Sequence, residues 1–184
     1  MGEDDANVME HRLEEMLVGI TWTHKIHEKQ ADIYESRDRR LTMASLLLTS
    51  VTASGIVGIL FVDFFILKVI SATFSLASIF FSLLAKTADY PSRAQAQRRA
   101  AKIFLGLRED TKMLLTDIHA KAIPLGELAS SVNDLTTRYK DACMAAPSTT
   151  DKAEKRARTS LENGESMVTE AEKQRMVPGY KGGR

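Results

Sequence analysis

One stretch of the sequence decides the fold, residues 41–85: LTMASLLLTSVTASGIVGILFVDFFILKVISATFSLASIFFSLLA. It contains two apolar runs, 41–62 and 64–85, separated by Asp63. The first run has no charged residue, and the second has one, Lys68. About 20 helical residues cross a hydrocarbon core of roughly 30 Å, and both runs reach that length. Because a soluble helix keeps one polar face, the two successive runs predict a transmembrane helical hairpin rather than a buried hairpin in a soluble bundle.

Basic residues flank this hairpin on both sides. They are Lys25, Lys29, Arg37, Arg39 and Arg40 before it, and Lys86, Arg93, Arg98, Arg99 and Lys102 after it. The connection offers only Lys68, whose long side chain can extend to the membrane interface. The positive-inside rule therefore predicts that both termini are cytoplasmic and that the Asp63 turn lies on the far side of the membrane.

Small hydroxyl residues recur at intervals of three and four along one face of each predicted span. Such residues allow helices to approach closely, and they can also line a wet path when several hairpins assemble around an axis. Helix packing and pore lining both stay open as interpretations. The residues concerned are Ser71, Ser75, Ser78 and Ser82 in the second span, with Thr49 and Thr52 in the first.

A heptad-like seam precedes the hairpin. Apolar residues and two histidines recur at intervals of four and three from Leu13, through Leu17 and Ile20, to Tyr34, and no Pro or Gly intervenes between Ile20 and the first span. This pattern predicts one long helix that continues into the membrane.

Two further seams, over residues 100–118 and 125–139, lie on either side of a turn that contains Pro124. They predict an antiparallel helix pair that packs on the N-terminal helix, within one subunit or between subunits. Four residues are expected in this helix interface: His24, His27, Phe104 and Leu107. An i, i+3 histidine pair shares a helix face, but no cysteine or carboxylate at a ligand spacing accompanies it, so we expect no metal. Polar core residues and pH-responsive interface residues both stay open as interpretations.

The predicted fold is all-α, with a two-helix transmembrane hairpin and long cytoplasmic helices that form a coiled-coil-like bundle. Its expected parts are an N-terminal helix (1–40), the hairpin (41–85), a cytoplasmic helical hairpin (86–146) and a polar C-terminal tail with short helices (147–184). The tail has few apolar residues and is expected to be mobile or ordered only when docked. Within it, a helix should begin at Asp151 and end at Asn163-Gly164. At the membrane exit, Asp89-Tyr90-Pro91 should break or kink the chain, with Ser92 as the N-cap of the next helix.

Several functions are disfavoured by composition. The formal net charge of +1 over 184 residues gives no basic face for nucleic acid. The single cysteine, Cys143, excludes an internal disulfide and a cysteine-based zinc site. The sequence has no glycine-rich phosphate loop, no His-Glu-x-x-His helix and no nucleophile elbow. We therefore expect neither an enzyme nor a cofactor.

The order of these parts is similar to that of a known family. The segments that carry the similarity are Trp22–His27, Ser71–Ser78, Tyr90–Ala100 and Thr149–Ala153, within residues 10–175. The chain resembles the SLATT family, the SMODS and SLOG-associating two-transmembrane effector domains of bacterial conflict systems. The resemblance implies a membrane effector that acts beside nucleotide-second-messenger or nucleotide-sensing partners. When activated, it would assemble and permeabilise the inner membrane, killing the infected cell before a phage matures.

The function expected on this basis is a pore-forming or membrane-disrupting effector of antiviral (abortive infection) defence, triggered by a partner or a nucleotide signal. The expected partners are the lipid bilayer, further copies of the chain, and a nucleotide-second-messenger synthase or sensor. The expected location is the bacterial inner membrane. A second interpretation is a membrane anchor or scaffold, in which the hairpin only tethers helices that recruit a cytoplasmic partner.

Overall fold

The computed structural model describes residues 2–61, 65–120 and 122–165, without the side chains of residues 2–6, 54–61, 67 and 125. The predicted Asp63 turn and the tail beyond residue 165 lie outside the described residues. The described chain forms helices without strands, which confirms the all-α fold. The helices are α1 (Gly2–Phe61), α2 (Phe65–Ala88), α3 (Tyr90–His119), α4 (Leu125–Ala145) and α5 (Asp151–Glu162).

Helix α1 is continuous over 60 residues and therefore about 90 Å long at 1.5 Å per residue. This confirms the single long helix predicted from the absence of Pro and Gly between Ile20 and the first apolar run. Before the hairpin, α1 packs against α3, α4 and α5, and from about Ser45 onwards it packs against α2. One rigid element thus belongs both to a helical bundle and to the apolar hairpin.

The core of the bundle is built from the seam residues of α1, α3 and α4. The buried members are Leu13, Met16, Ile20, Ala100, Phe104, Leu107, Leu128, Val132 and Leu135. One seam position differs from the prediction, because Met16 is buried whereas Leu17 is only half-buried. At 3.6 residues per turn, either Met16 or Leu17 can share a helix face with Leu13 and Ile20. Spacing alone therefore did not show which of the two faces the core.

A single residue separates α2 from α3. Asp89 adopts the left-handed conformation (φ 44°), which a short polar side chain tolerates better than most. The predicted break at this point is confirmed. The predicted N-cap at Ser92 is wrong, because α3 already begins at Tyr90. Pro91 lies in the first turn, where its missing N–H leaves no intrahelical bond unmade, and the Arg93 N–H donates to the Asp89 carbonyl at 3.2 Å.

Helix α5 ends where the sequence predicts. Its last residue is Glu162, and Gly164 follows in the left-handed region (φ 71°). The tail was expected to be mobile or ordered only when docked, and its first helix, α5, packs along α1.

Candidate functional site

The two predicted hydroxyl stripes meet each other inside the hairpin. The Oγ atoms of Ser45 and Ser82 lie 3.1 Å apart, and Thr49 Oγ1 lies 3.0 Å from Ser78 Oγ. Thr49 donates its single hydroxyl proton to the Ser45 carbonyl at 2.8 Å, so Ser78 is the donor to Thr49. We call these four residues the hydroxyl seam.

The remaining stripe residues follow the same antiparallel register. Both hydroxyl pairs have residue numbers that sum to 127, which places Thr52 level with Ser75. These two residues and Ser71 are half-buried, and Thr52 donates to the Leu48 carbonyl at 2.9 Å, so its proton is used within α1. The structure therefore brings Ser78, Ser82 and Thr49 into contact across the helices, whereas Thr52 bonds within its own helix.

The outer surface of the hairpin is apolar. One helical run in the described chain is long and apolar enough to cross a membrane. It begins at Lys68 and continues across the α2–α3 junction to His119. Its apolar window has a mean hydropathy of 1.7, and none of that window is buried in the monomer. Large apolar side chains are exposed on both helices: Met43, Leu46, Leu47, Val51, Phe65, Ile66, Val69, Ile70, Leu76, Ile79, Phe80, Leu83 and Leu84. An exposed apolar surface of this extent requires lipid or protein around it.

The two histidines of the predicted interface lie between α1 and α3. His24 Nδ1 donates to the Ala101 carbonyl at 2.8 Å, and the buried His27 ring stacks on Phe104 with centroids 5.4 Å apart. His27 Nδ1 bonds to the side-chain oxygen of Gln97, whose amide nitrogen donates to the Ser148 carbonyl at 2.9 Å.

This chain of hydrogen bonds fixes the proton on His27 Nδ1, because the Gln97 oxygen is an acceptor. Leu107, the fourth predicted interface residue, is buried in the core beside Phe104. Within the described part of the chain, no group of three or more His, Cys, Asp or Glu residues is arranged to hold a metal ion.

Ion pairs connect α3 to α1 just before the hairpin begins. The Arg98 guanidinium donates to Asp32 at 2.7 Å and to Glu35 at 3.0 Å. The hydrogen bond to Arg98 lowers the pKa of Glu35, and the bond to Glu35 in turn raises the pKa of Arg98. These charges keep α3 beside α1 at the membrane-proximal end of the bundle.

Helix α5 docks on α1 through small side chains. Its buried residues are Ala153, Ala157 and Ser160. At the start of α5, the Gln30 side-chain oxygen accepts bonds from the Thr150 N–H at 3.0 Å and the Thr150 hydroxyl at 2.8 Å. The Gln30 amide nitrogen is buried without a hydrogen-bond partner in the described structure, which costs the docked state about 1–3 kcal/mol.

The Glu165 carboxylate lies at the other end of this α1–α5 interface. Glu165 accepts bonds from Lys29 at 2.8 Å and from Ser160, and it lies 3.7 Å from the Lys25 ammonium group. The hydrogen bonds from Lys29 and Ser160 lower the pKa of Glu165 to about 2. The carboxylate is therefore ionised at neutral pH and holds two cations of α1 beside the end of α5.

Sequence reasoning predicted this helix but not its position against α1. The signal was present as a small-residue series, Ala153, Ala157, Ser160 and Gly164, at intervals of four, three and four. Such a series permits close helix packing, but in a charged segment it is equally compatible with a solvated helix. Gln30, Gln97 and Glu165 have no sequence signal of their own.

These elements define a membrane-associated all-α protein in which a 60-residue helix connects a polar helical bundle to an apolar hairpin. The chain belongs to the SMODS and SLOG-associating 2TM effector domain family 4, whose family model matches residues 9–173. This match confirms the resemblance to the SLATT family. Searches of curated proteins and of solved structures found no significant match. The family's name supports an effector that works in a membrane beside SMODS and SLOG proteins.

Proposed function

We propose that this chain is a pore-forming or membrane-disrupting effector of a bacterial antiviral (abortive infection) defence system. The observation that carries the proposal is the hydroxyl seam, a line of paired hydroxyl groups between two helices whose exposed side chains are largely apolar. In the monomer the seam hydroxyls are paired with one another. In an assembly of hairpins, the same groups can exchange these partners for water and line a path.

The proposed topology is multi-pass in the bacterial inner membrane, with both termini in the cytoplasm. It is supported by the basic residues on both sides of the hairpin and by the exposed apolar faces of α1 and α2. One hairpin of two helices is too small to enclose a path, so the mechanism requires several copies of the chain in the bilayer.

The continuity of α1 supplies a mechanism for control. A change in the bundle that rotates or shifts α1 also moves Ser45 and Thr49, because no break separates residue 20 from residue 61. A trigger then has to bind the open arrangement more tightly than the closed one. We propose that this trigger comes from a partner, a nucleotide-second-messenger synthase or sensor, or from its nucleotide product.

The test is dye leakage from liposomes that contain the purified protein, together with the membrane potential of cells expressing it. The variant with Ser75→Leu and Ser78→Leu should insert normally and no longer release dye. The control is Ala72→Leu with Thr73→Leu, which also introduces two leucines into α2, but at exposed positions, and should leave leakage unchanged. Undiminished leakage from a fully inserted double variant would reject the pore path along this face.

A membrane anchor or scaffold is the second candidate. One observation favours it: the seam hydroxyls are already satisfied within a single hairpin, as packing alone would require. An anchor predicts that expression of the chain leaves the membrane potential intact under every trigger, and that a cytoplasmic partner is lost from membranes when the bundle is disrupted.

A further inference from the structure

A basic surface cavity lies where α5 meets α1. Its volume is about 730 Å³, within the range of small-molecule sites. Four basic residues line it: Lys29 from α1, with Lys152, Lys155 and Arg156 from α5. We call it the α5 cavity.

The charges of this cavity are unevenly compensated. Of its three acidic lining residues, Asp32 is bound to Arg98 and Glu165 is bound to Lys29, while Asp151, in the first turn of α5, forms no ion pair among the described residues. Among the described residues, Lys152, Lys155 and Arg156 form no ion pair with any carboxylate. They occupy positions i, i+3 and i+4 of one helix, so their side chains leave the same face of α5 as neighbours. Two ammonium groups and a guanidinium in this arrangement suit the several oxygens of a polyphosphate.

One end of the cavity already binds an anionic oxygen. The Glu165 carboxylate interacts there with Lys29, Lys25 and the Ser160 hydroxyl. All three are donors that a phosphate oxygen would also use, so a second anion and the Glu165 carboxylate would compete for the same positions.

We infer that the α5 cavity binds a soluble phosphate-bearing anion with two or more phosphate groups, such as a nucleotide, and that binding displaces Glu165 from Lys29. The inference deepens the proposed function by assigning its trigger to named residues, and it rests on that function only for its biological role. The first apolar run begins at Leu41, twelve positions after Lys29 and about 18 Å further along α1. That distance favours a soluble ligand over a lipid headgroup.

The experiment titrates inorganic tripolyphosphate into the full-length protein in neutral detergent micelles, measured by calorimetry and by Trp22 fluorescence. The wild type should bind saturably and more weakly as salt rises. The variant with Lys155→Gln and Arg156→Gln should bind at least about tenfold more weakly, since it loses two charged donors. Glu165→Gln should bind severalfold more tightly, because the competing carboxylate is gone.

The matched control removes two exposed charges outside the cavity, with Lys102→Gln and Lys140→Gln. Equal weakening in this control would mean general charge attraction and would overturn the site. Absence of saturable binding by the wild type at millimolar probe, or unchanged affinity in Glu165→Gln, would overturn it too. Circular dichroism confirms that each variant remains helical.

Two further arms separate the alternatives. Vesicles rich in phosphatidylglycerol test whether the bound phosphate belongs to a lipid headgroup. If Lys155→Gln with Arg156→Gln weakens binding to these vesicles but not binding to tripolyphosphate, the assignment to a soluble ligand is overturned. Binding in micelles does not depend on a pore. Saturable binding with no leakage would therefore support this site while contradicting the proposed pore, and leakage without binding would do the reverse.

Discussion

The guanidinium of Arg158 lies over the indole ring of Trp22, with Cζ 5.6 Å from the ring centroid. Arg158 belongs to α5, whereas Trp22 belongs to α1 and is the single tryptophan of the chain. The fluorescence of the wild-type protein therefore reports whether α5 is docked, without an added label.

The first prediction concerns the packing of α5. Ala157 is fully buried against α1, so Ala157→Leu overfills the interface and should cost about 1–3 kcal/mol. We expect acrylamide to quench Trp22 more strongly in this variant. The control is Thr159→Leu, an exposed position of the same helix, which should leave quenching as in the wild type. Equal quenching in all three proteins would show that α5 does not cover Trp22.

The second prediction concerns pH. The pKa of Glu165 is lowered from 4.5 to about 2, so its ionised form contributes to docking fully above pH 4.5. That contribution is lost progressively as the pH falls from 4.5 towards 2. Quenching of Trp22 should rise over this interval in the wild type, and Glu165→Gln should lack that part of the pH dependence. Superimposable pH profiles for the two proteins would exclude Glu165 as the responsible group.

The third prediction concerns the core of the bundle. The Phe104 ring is fully buried, stacks on His27 and makes an edge contact with Tyr139 at 6.2 Å. Phe104→Ala should lower the free energy of unfolding by about 3–5 kcal/mol in denaturant titrations followed by circular dichroism. The neighbouring Ile103 is 53% exposed, and Ile103→Ala should change that free energy by no more than about 0.5 kcal/mol. Similar losses for both variants would contradict the orientation of α3.

The fourth prediction concerns the hydroxyl seam. The Ser45 and Ser82 oxygens lie 3.1 Å apart, so sulfur atoms in their place would need to approach by only about 1 Å to reach the S–S bond length of about 2.05 Å. In a Cys143→Ser background, Ser45→Cys with Ser82→Cys should cross-link within one chain under mild oxidation. The matched pair is Leu47→Cys with Leu83→Cys, at exposed positions, which should not cross-link within one chain.

The same disulfide tests the mechanism. If opening separates α1 from α2 at the seam, the oxidised protein should lose leakage and regain it on reduction. Leakage from a fully cross-linked protein would mean that the seam stays closed while the membrane is permeabilised.

Sequence alone determined those features that depend on neighbouring residues. The two apolar runs on either side of Asp63 predicted two apolar helical segments, and in the structure these segments of α1 and α2 pack against each other. Periodicity placed Phe104 and Leu107 in a helix interface, and the absence of breakers after Ile20 gave the continuous α1. The stop at Gly164 followed from the freedom of glycine at positive φ.

Tertiary structure decided which faces meet. Helical spacing permits Met16 or Leu17 to face the core, and only packing against α3 and α4 selects Met16. The pairing of Ser45 with Ser82, the bonds of Gln30 to Thr150 and the position of Arg158 over Trp22 join residues 37 to 136 positions apart. Such contacts leave no periodic trace in a sequence, because each depends on where two distant helices are placed by the burial of other side chains.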